Sequence, residues 1–310
     1  MRCASPRGNL LLAAAAVVVG CMPFYATPYH MQLVSAAMIA AMFALSLQLL
    51  VGGAGMVSLA QAAFFGLGAY AVHLLGRALG AAPSILLSLP VSAAVAGIAA
   101  LAIGPFALRT RGFFFLMTTL AFGQMLFFVF HDTPIGGGMD GVFILRPDLG
   151  FALTRTGRTP ALLLFNLGVL AAMYAMLWWL MHTLFGHALL GIRANEDRMR
   201  AMGHDVVRLK LAAFVIAGAL AGVAGHMAAL NDAFVNPDLL GWHRSAEALL
   251  IVLLGGIGVL HGPIVGAFAY TLLGEVGRSV TERQRLVEGL VMLLAVLLLR
   301  RGLAGLRFVR

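Results

Sequence analysis

The residue types that most often carry chemistry form no catalytic or metal-binding pattern in this sequence. None of the nine histidines falls into a metal-binding spacing such as HExxH, and no GxSxG nucleophile motif occurs. The single lysine, Lys210, does not follow the glycine-rich loop that cradles a nucleotide phosphate. We therefore predict that the chain is not an enzyme, that it needs no cofactor, and that it does not hydrolyse ATP itself.

A few ionisable residues lie near or inside apolar runs. Glu247, Glu275 and Glu288 are the acids of this kind, and an acid inside a membrane segment is a functional hypothesis. Glu247 and Glu275 lie near predicted segment ends, where they can reach the interface. His226 and His261 are more typical of satisfied packing residues than of ligands or proton relays.

The amino-acid composition is that of a membrane protein. Of 310 residues, 61% are hydrophobic and 11% are charged, whereas a soluble domain carries about a quarter charged residues. Lipid must therefore cover most of the surface, and we predict an all-α, polytopic membrane protein. The net charge of +9 does not predict nucleic-acid binding, because the arginines lie mainly in short gaps between apolar runs, where they orient the spans. Neither a disulfide nor a metal site is expected from Cys3 and Cys21.

A membrane helix needs about 20 apolar residues. On this basis we predict one permease-like domain over 1–310 with about ten (eight to ten) transmembrane segments. They are 9–25, 31–51, 58–79, 84–108, 112–130, 161–181, 211–230, 246–260, 263–277 and 286–299. Two alternatives stay open: residues 245–278 could form one kinked span, and the N-terminal run could be a lipoprotein signal cut before Cys21. The N-terminus is expected on the cytoplasmic side.

The longest markedly polar run is 186–210. It lies between two long apolar runs, and its excess of basic residues predicts a cytoplasmic location. Within it, 195–202 is predicted to form a short helix, with Asn195 as N-cap, acids in the first turn and Gly203 after the C-terminus. We interpret this helix as the site at which another protein binds the membrane-spanning part of the chain and moves it. The residues expected to couple to it are Arg193, Glu196, Asp197, Arg198, Ala201, Met202 and Gly203.

Glycine-rich interruptions at 52–55 and 255–262 predict broken helices. Broken helices at membrane depth must face protein or a water-filled cavity, and paired breaks are typical of a substrate path. The candidate path residues are Ser58, Gln61, Thr119, Gln124, Gly255, Gly256 and Gly258. Close helix packing is the alternative reading of the small residues, and a buried interhelical bond is the alternative for the polar ones.

Six segments in order resemble the permease subunits of ABC transporters for branched-chain amino acids, the LivM type. Residues 52–70 resemble GxxGxxSLGQAAFFGxGAY with Ala60 in place of glycine, and 109–122 resemble R-x-RG-x-(Y/F)F-x-x-x-TLAF. Residues 136–141 approximate TGGxxG, and 254–267 match LGGxGxxxGPxxGA. Residues 186–203 resemble GRxxxAIRxxExxAxxxG with His187 and Arg200 as departures, and 301–306 read RGLAGL.

The resemblance implies a set of partners. These are a second permease subunit (LivH-like), two ATPase subunits (LivF- and LivG-like) that bind the ATP, and an extracytoplasmic substrate-binding protein, all at the bacterial inner (plasma) membrane. The implied substrates are leucine, isoleucine and valine. Permeases for urea and short amides resemble the same pattern, and an ATP-independent carrier or membrane enzyme is the rival class. A carrier would need an ion-coupling acid at mid-depth, for which Glu288 is the candidate.

Overall fold

The chain forms a helical bundle in the computed structural model, which describes residues 17–25, 27–80, 83–144, 155–280 and 289. The helices are α1 (Pro28–Gln48), α2 (Gln61–Leu79), α3 (Ile85–Ala107), α4 (Phe113–Asp132), α5 (Arg155–His182), α6 (Leu184–Ala194), α7 (Glu196–Ala201), α8 (Val206–Asp232), α9 (Trp242–Gly255) and α10 (Gly262–Val280). Strands β1 (Val142–Phe143) and β2 (Phe234–Val235) form one short antiparallel ribbon. The predicted all-α class is confirmed.

Six helices in the described residues are long and apolar enough to cross a membrane. They are Pro28–Ala54, Gln61–Leu79, Ile85–Ala107, Phe113–Asp132, Thr159–His182 and Val206–Asp232. The chain is thus a polytopic helical membrane protein, but the described part does not support the predicted eight to ten segments. Helices α9 and α10 are not among the six, because α9 has 14 residues and α10 does not reach the same apolar content. The predicted last span, 286–299, and residues 9–16 of the first lie outside the described residues.

Helix α8 lies at the centre of the described bundle and packs against α1, α2 and α3. Small residues bring the backbones together, since a Cβ on Gly68 of α2 would lie 2.1 Å from the carbonyl oxygen of Gly222 in α8. A Cβ on Gly222 would in turn lie 2.5 Å from the Cβ of Ala96 in α3. Helices in lipid gain little from apolar burial, so close packing of this kind holds them together. For Gly68 the packing interpretation therefore accounts for the small residue.

The first glycine break follows α1. The helix widens into a π-helical turn, Leu49–Ala54, and then stops at Gly55, whose φ of +71° is a left-handed conformation that favours glycine. The backbone stays non-helical as far as Ala60, and α2 begins at Gln61. The interruption predicted at 52–55 is therefore present, with all six residues of the π-helical turn buried.

The second glycine break separates α9 from α10. The two helices form a hairpin whose turn contains Gly256 and Gly258, so the prediction of two short helices is confirmed over that of one kinked span. Its second helix, α10, runs antiparallel to α1: near the turn, Gln48 Nε2 donates to the Val259 carbonyl at 3.2 Å. Near the other end, the Tyr29 hydroxyl donates to Glu275 Oε1 at 2.5 Å. The turn therefore lies at the end of the bundle where α1 stops.

The connection after α4 and the connection after α8 meet each other. The β1–β2 ribbon joins the segment after α4 to the segment after α8, with Val142 opposite Val235. Beneath it, the rings of Tyr70 and Phe130 stack with centroids 4.4 Å apart. We call this end of the bundle the ribbon face, and the end that carries α6 and α7 the loop face.

Candidate coupling and translocation elements

Helix α7 is built as the sequence predicts. The Asn195 side chain accepts a hydrogen bond from the Arg198 amide at 2.9 Å, which satisfies one of the free donors at the start of the helix. At the other end, the Gly203 amide donates to the Arg200 carbonyl and the His204 amide to the Met199 carbonyl. This pair of bonds, with Gly203 at φ +85°, is a Schellman ending. The short helix predicted over 195–202 is confirmed.

Glu196 ties α7 to the bundle. Its carboxylate accepts from Arg200 Nη2 and from Lys210 Nζ of α8, each at 2.6 Å. Burial acts to raise the pKa of Glu196, but the hydrogen bond and charge of Lys210, with the charges of Arg200 and Arg111, outweigh it, and the pKa is lowered. Sequence reasoning assigned Glu196 to the contact with a partner, whereas its charge is already paired within the chain.

The remaining α7 side chains divide into two groups. Met199 is buried, and its Sδ lies 2.7 Å from the place of a Cβ on Gly191, so it anchors α7 against α6. The exposed group consists of Asp197, Arg198, Ala201, Met202 and Gly203. Among the described residues Asp197 makes no ion pair, and Met202 is 60% exposed although it is apolar. These five residues form the outer surface of α7, a mixed charged and apolar patch of a kind that suits a protein partner.

Removing the Glu196 charge is expected to loosen α7 in a pH-dependent way. Because the folded-state pKa of Glu196 is lowered, the ionised carboxylate adds stability above the ordinary glutamate pKa, and this is lost as the pH falls through the folded-state value. Glu196→Gln should therefore be less stable than the wild type at neutral pH, by about 1 kcal/mol for two partly exposed pairs. The difference should close in acid.

Thermal unfolding of both proteins in detergent, at neutral and acid pH, measures this difference. Glu247→Gln is the matched control, because Glu247 also pairs with an arginine, Arg244, but at 3.2 Å on an exposed surface. A Glu196→Gln protein that unfolds together with the wild type at neutral pH would contradict the assignment of Glu196 as an internal tie.

Arg193 also turns inward. The side chain is exposed overall, yet Nη1 donates to the Gly52 carbonyl in the π-helical turn at 2.5 Å. A Cβ on Gly258, in the α9–α10 turn, would lie 3.5 Å from the same nitrogen. The residue was predicted to belong to the coupling surface. Its guanidinium instead lies between that surface and both glycine breaks.

Three candidate path residues are buried and hydrogen-bonded inside the bundle. Gln61 Nε2 donates to Ser46 Oγ at 3.0 Å and to the Ala217 carbonyl at 2.9 Å. Ser58 Oγ accepts from the Ala60 amide, and Thr119 Oγ1 accepts from the Leu59 amide at 3.2 Å. Gln61 thus joins α2 to α1 and α8, Thr119 joins α4 to the non-helical segment, and the Ser58 bond is local to that segment.

The other candidates lie in two places. Gln124 is half-buried on α4, the least enclosed of the six spans. Gly255 and Gly256 are buried at the hairpin, and Gly258 is half-buried there. A Cβ on Gly255 would lie 2.0 Å from the Gly262 carbonyl oxygen, so Gly255 is required for the close turn between α9 and α10. The structure brings Gly258, but not Gln124, next to the first glycine break.

Sequence reasoning missed Ser245 and Gln48. Ser245 Oγ donates to the Leu59 carbonyl and accepts from the Ala62 amide, both at 2.8 Å, and so joins α9 to the first break. Gln48 joins the end of α1 to the α9–α10 turn. A lone polar residue beside an apolar run gives no signal of its partner far along the chain, so neither could be selected from the sequence.

Three ionisable residues within the helices have polar partners in the described part of the chain. Glu247 pairs with Arg244, Glu275 accepts from Tyr29, and the fully buried His226 lies 3.0 Å from Ser92 Oγ through Nδ1. Glu288 lies outside the described residues. Within the described ranges no group of three or more His, Cys, Asp or Glu could hold a metal ion.

Comparison with known proteins identifies the family to which this arrangement belongs. The model of the family described as branched-chain amino acid transport system / permease component matches residues 29–297. The high-affinity branched-chain amino acid transport system permease protein LivM of Escherichia coli K12 is 29% identical over 318 residues, covering 95% of this chain and 74% of the relative. LivM of Salmonella typhimurium matches to the same extent.

More distant relatives match shorter segments. The autoinducer 2 import system permease protein LsrC of Klebsiella pneumoniae is 35% identical over 113 residues, 35% of this chain and 33% of the relative. The ribose import permease protein RbsC of Escherichia coli K12 is 26% identical over 140 residues, 42% and 43% of the two chains. No solved structure matches. With six apolar spans in the described residues, two glycine breaks and a family match across residues 29–297, the chain belongs to the branched-chain amino acid transport permease family, as a LivM-type permease.

Proposed function

We propose that the chain is the membrane-spanning permease subunit of an ATP-binding-cassette importer for leucine, isoleucine and valine in the bacterial inner membrane. It acts as one transmembrane domain, and the loop 186–210 couples it to separate ATPases. The observation that carries the proposal is α7: both ends are capped, Glu196 and Met199 fix its inner side, and its outer surface is left exposed on the loop face. A rigid small helix held in this way can transmit a push from a partner.

The family match supports a set of partners for this subunit. Two ATPase subunits of the LivF and LivG kind would bind ATP and receive the outer surface of α7. A second permease of the LivH kind would complete the path, and an extracytoplasmic binding protein would deliver the amino acid at the ribbon face. ATP binding would bring the ATPases together, and α7 would carry that movement into the membrane body.

Co-purification with the two ATPases tests the coupling role. Charge reversal of the outer surface by Asp197→Arg with Arg198→Glu should abolish recovery of the ATPases and ATP-dependent leucine uptake, because both side chains are exposed and face away from the bundle. Asp140→Arg is the control for ATPase recovery, since Asp140 is an exposed acid near the ribbon face and away from the loop face. Leucine uptake by the chain alone in liposomes without ATP would reject the proposal in favour of a secondary carrier.

The substrate class needs its own measurement. Among the relatives, LivM proteins are named for branched-chain amino acids, RbsC for ribose and LsrC for autoinducer 2. Uptake of labelled leucine by the reconstituted complex should be inhibited by isoleucine and valine and left unchanged by urea, short amides and ribose. Inhibition by urea in place of isoleucine would assign the chain to an amide transporter of the same family.

A further inference from the structure

Arg193 connects three segments that are far apart in the sequence. It is the penultimate residue of α6, and its aliphatic stem lies against the first glycine break, where a Cβ on Gly55 would be 3.1 Å from Arg193 Cγ. Its guanidinium donates to the Gly52 carbonyl and lies beside Gly258 of the α9–α10 turn. One side chain of the polar loop therefore touches both interrupted helices.

The Gly52 carbonyl is well placed to accept a hydrogen bond from the Arg193 guanidinium. The last carbonyls of a helix have no intrahelical donor, and the negative end of the helix dipole attracts a cation. Gly52 lies within the final turn of the π-helical segment, where Gly55 ends the helix. Arg193 thus supplies from outside the donor and the positive charge that the end of α1 lacks. Gln48, through its bond to Val259, ties the same end to the α9–α10 turn.

The connection from α7 to this contact is short and packed. Arg193 lies two residues before Asn195, the residue that caps α7. Between them and the break, Ile192 and Leu189 of α6 are buried, and α6 packs directly on the π-helical turn. A displacement of α7 must therefore move the Arg193 guanidinium relative to Gly52 and Gly258. Single π-helical turns occur often at functional sites, and an interrupted helix end has more than one arrangement within reach.

We propose that Arg193 is the positioning residue that transmits movement of α7 to the two glycine breaks, so that engagement of the ATPases changes the path at the ends of α1 and of the α9–α10 hairpin together. The inference rests on the proposed function, because it needs ATPases acting on α7. It differs from a docking role, because the bond from Arg193 Nη1 to the Gly52 carbonyl is made within the chain.

The test is the coupling ratio of the full transporter in proteoliposomes, measured as leucine imported per ATP hydrolysed. Arg193→Ala should assemble with both ATPases and hydrolyse ATP, while the ratio falls at least about fivefold, the lower range of an energetic coupling between two sites. Arg193→Lys keeps the charge but not the planar fork, so it should recover part of the ratio. Arg109→Ala is the matched control, because Arg109 is exposed, lies outside the loop 186–210, and has its guanidinium over the Phe106 ring.

A second readout follows the break itself. Amide hydrogen exchange in residues 49–56 of the assembled complex should rise in Arg193→Ala and stay at the wild-type level in Arg109→Ala. If Arg193→Ala fails to assemble, Arg193→Gln takes its place in both measurements. A wild-type coupling ratio in the Arg193 variant that assembles would overturn the inference. A loss of ATPase recovery together with transport in Arg193→Lys would overturn it as well. Failure of the proposed function would be distinct, since the wild-type chain would then recover no ATPase.

Discussion

Gly225→Ala is expected to destabilise the bundle by about 3 kcal/mol, the upper part of the range for overpacking a core. The added Cβ would lie 1.8 Å from the carbonyl oxygen of Phe65 and 2.7 Å from its carbonyl carbon. Both atoms belong to the backbone of α2, which cannot rotate out of the way as a side chain can. Relief requires α2 and α8 to separate, and separation would also loosen the contact between Gly68 and Gly222.

Thermal unfolding of the purified chain in detergent measures the loss. Gly168→Ala is the matched control, because Gly168 is also inside a spanning helix and a Cβ there would meet no atom within 4 Å. Alanine favours the helix over glycine, so the control should be unchanged or more stable by roughly 1 kcal/mol. If both variants unfold at the wild-type temperature, α2 and α8 do not pack as closely as described.

The close packing of α2 on α8 shows what a single sequence can predict about this fold. The small residues of 52–70 were recognised, and helix packing was one of the two interpretations for them. Their partners, Gly222 and Gly225, were passed over because they lie about 150 residues further along the chain. Apolar run lengths predict spans, since lipid thickness fixes them. The pairing of one span with another depends on the shapes of their surfaces, and these cannot be predicted from a single sequence.

In the polar loop 186–210, too, local features were predictable from the sequence and long-range contacts were not. The caps of α7 were predicted correctly, because Asn195 and Gly203 act on backbone within four residues of themselves. The roles of Arg193 and Glu196 could not be separated from those of Asp197 and Arg198 on charge alone. Their partners Gly52 and Lys210 decide the matter, and a contact between residues 52 and 193 cannot be seen in local pattern.

Ser245→Ala is expected to weaken the first glycine break, with a loss of about 2 kcal/mol for the buried groups left without a partner. The hydroxyl holds two backbone groups of the neighbouring segment, the Leu59 carbonyl and the Ala62 amide. The Ala62 amide lies in the first turn of α2, where no intrahelical acceptor exists, so Ser245 acts as a cap supplied by another helix. Ser88→Ala is the control, since Ser88 is as buried but its hydroxyl donates to a carbonyl of its own helix, that of Ile85.

The stability difference between Ser245→Ala and Ser88→Ala decides what surrounds the break. Non-helical backbone at membrane depth persists only where protein or a water-filled cavity satisfies its polar groups. If protein alone surrounds Leu59, Ser245→Ala should unfold at a lower temperature and its Leu59–Ala62 amides should exchange faster, whereas Ser88→Ala should match the wild type. If water reaches Leu59, it would replace the lost hydroxyl and the two variants would be equally stable. That second result would reverse the assignment of Ser58, Gln61 and Thr119 to internal bonding and would return them to the lining of the substrate path.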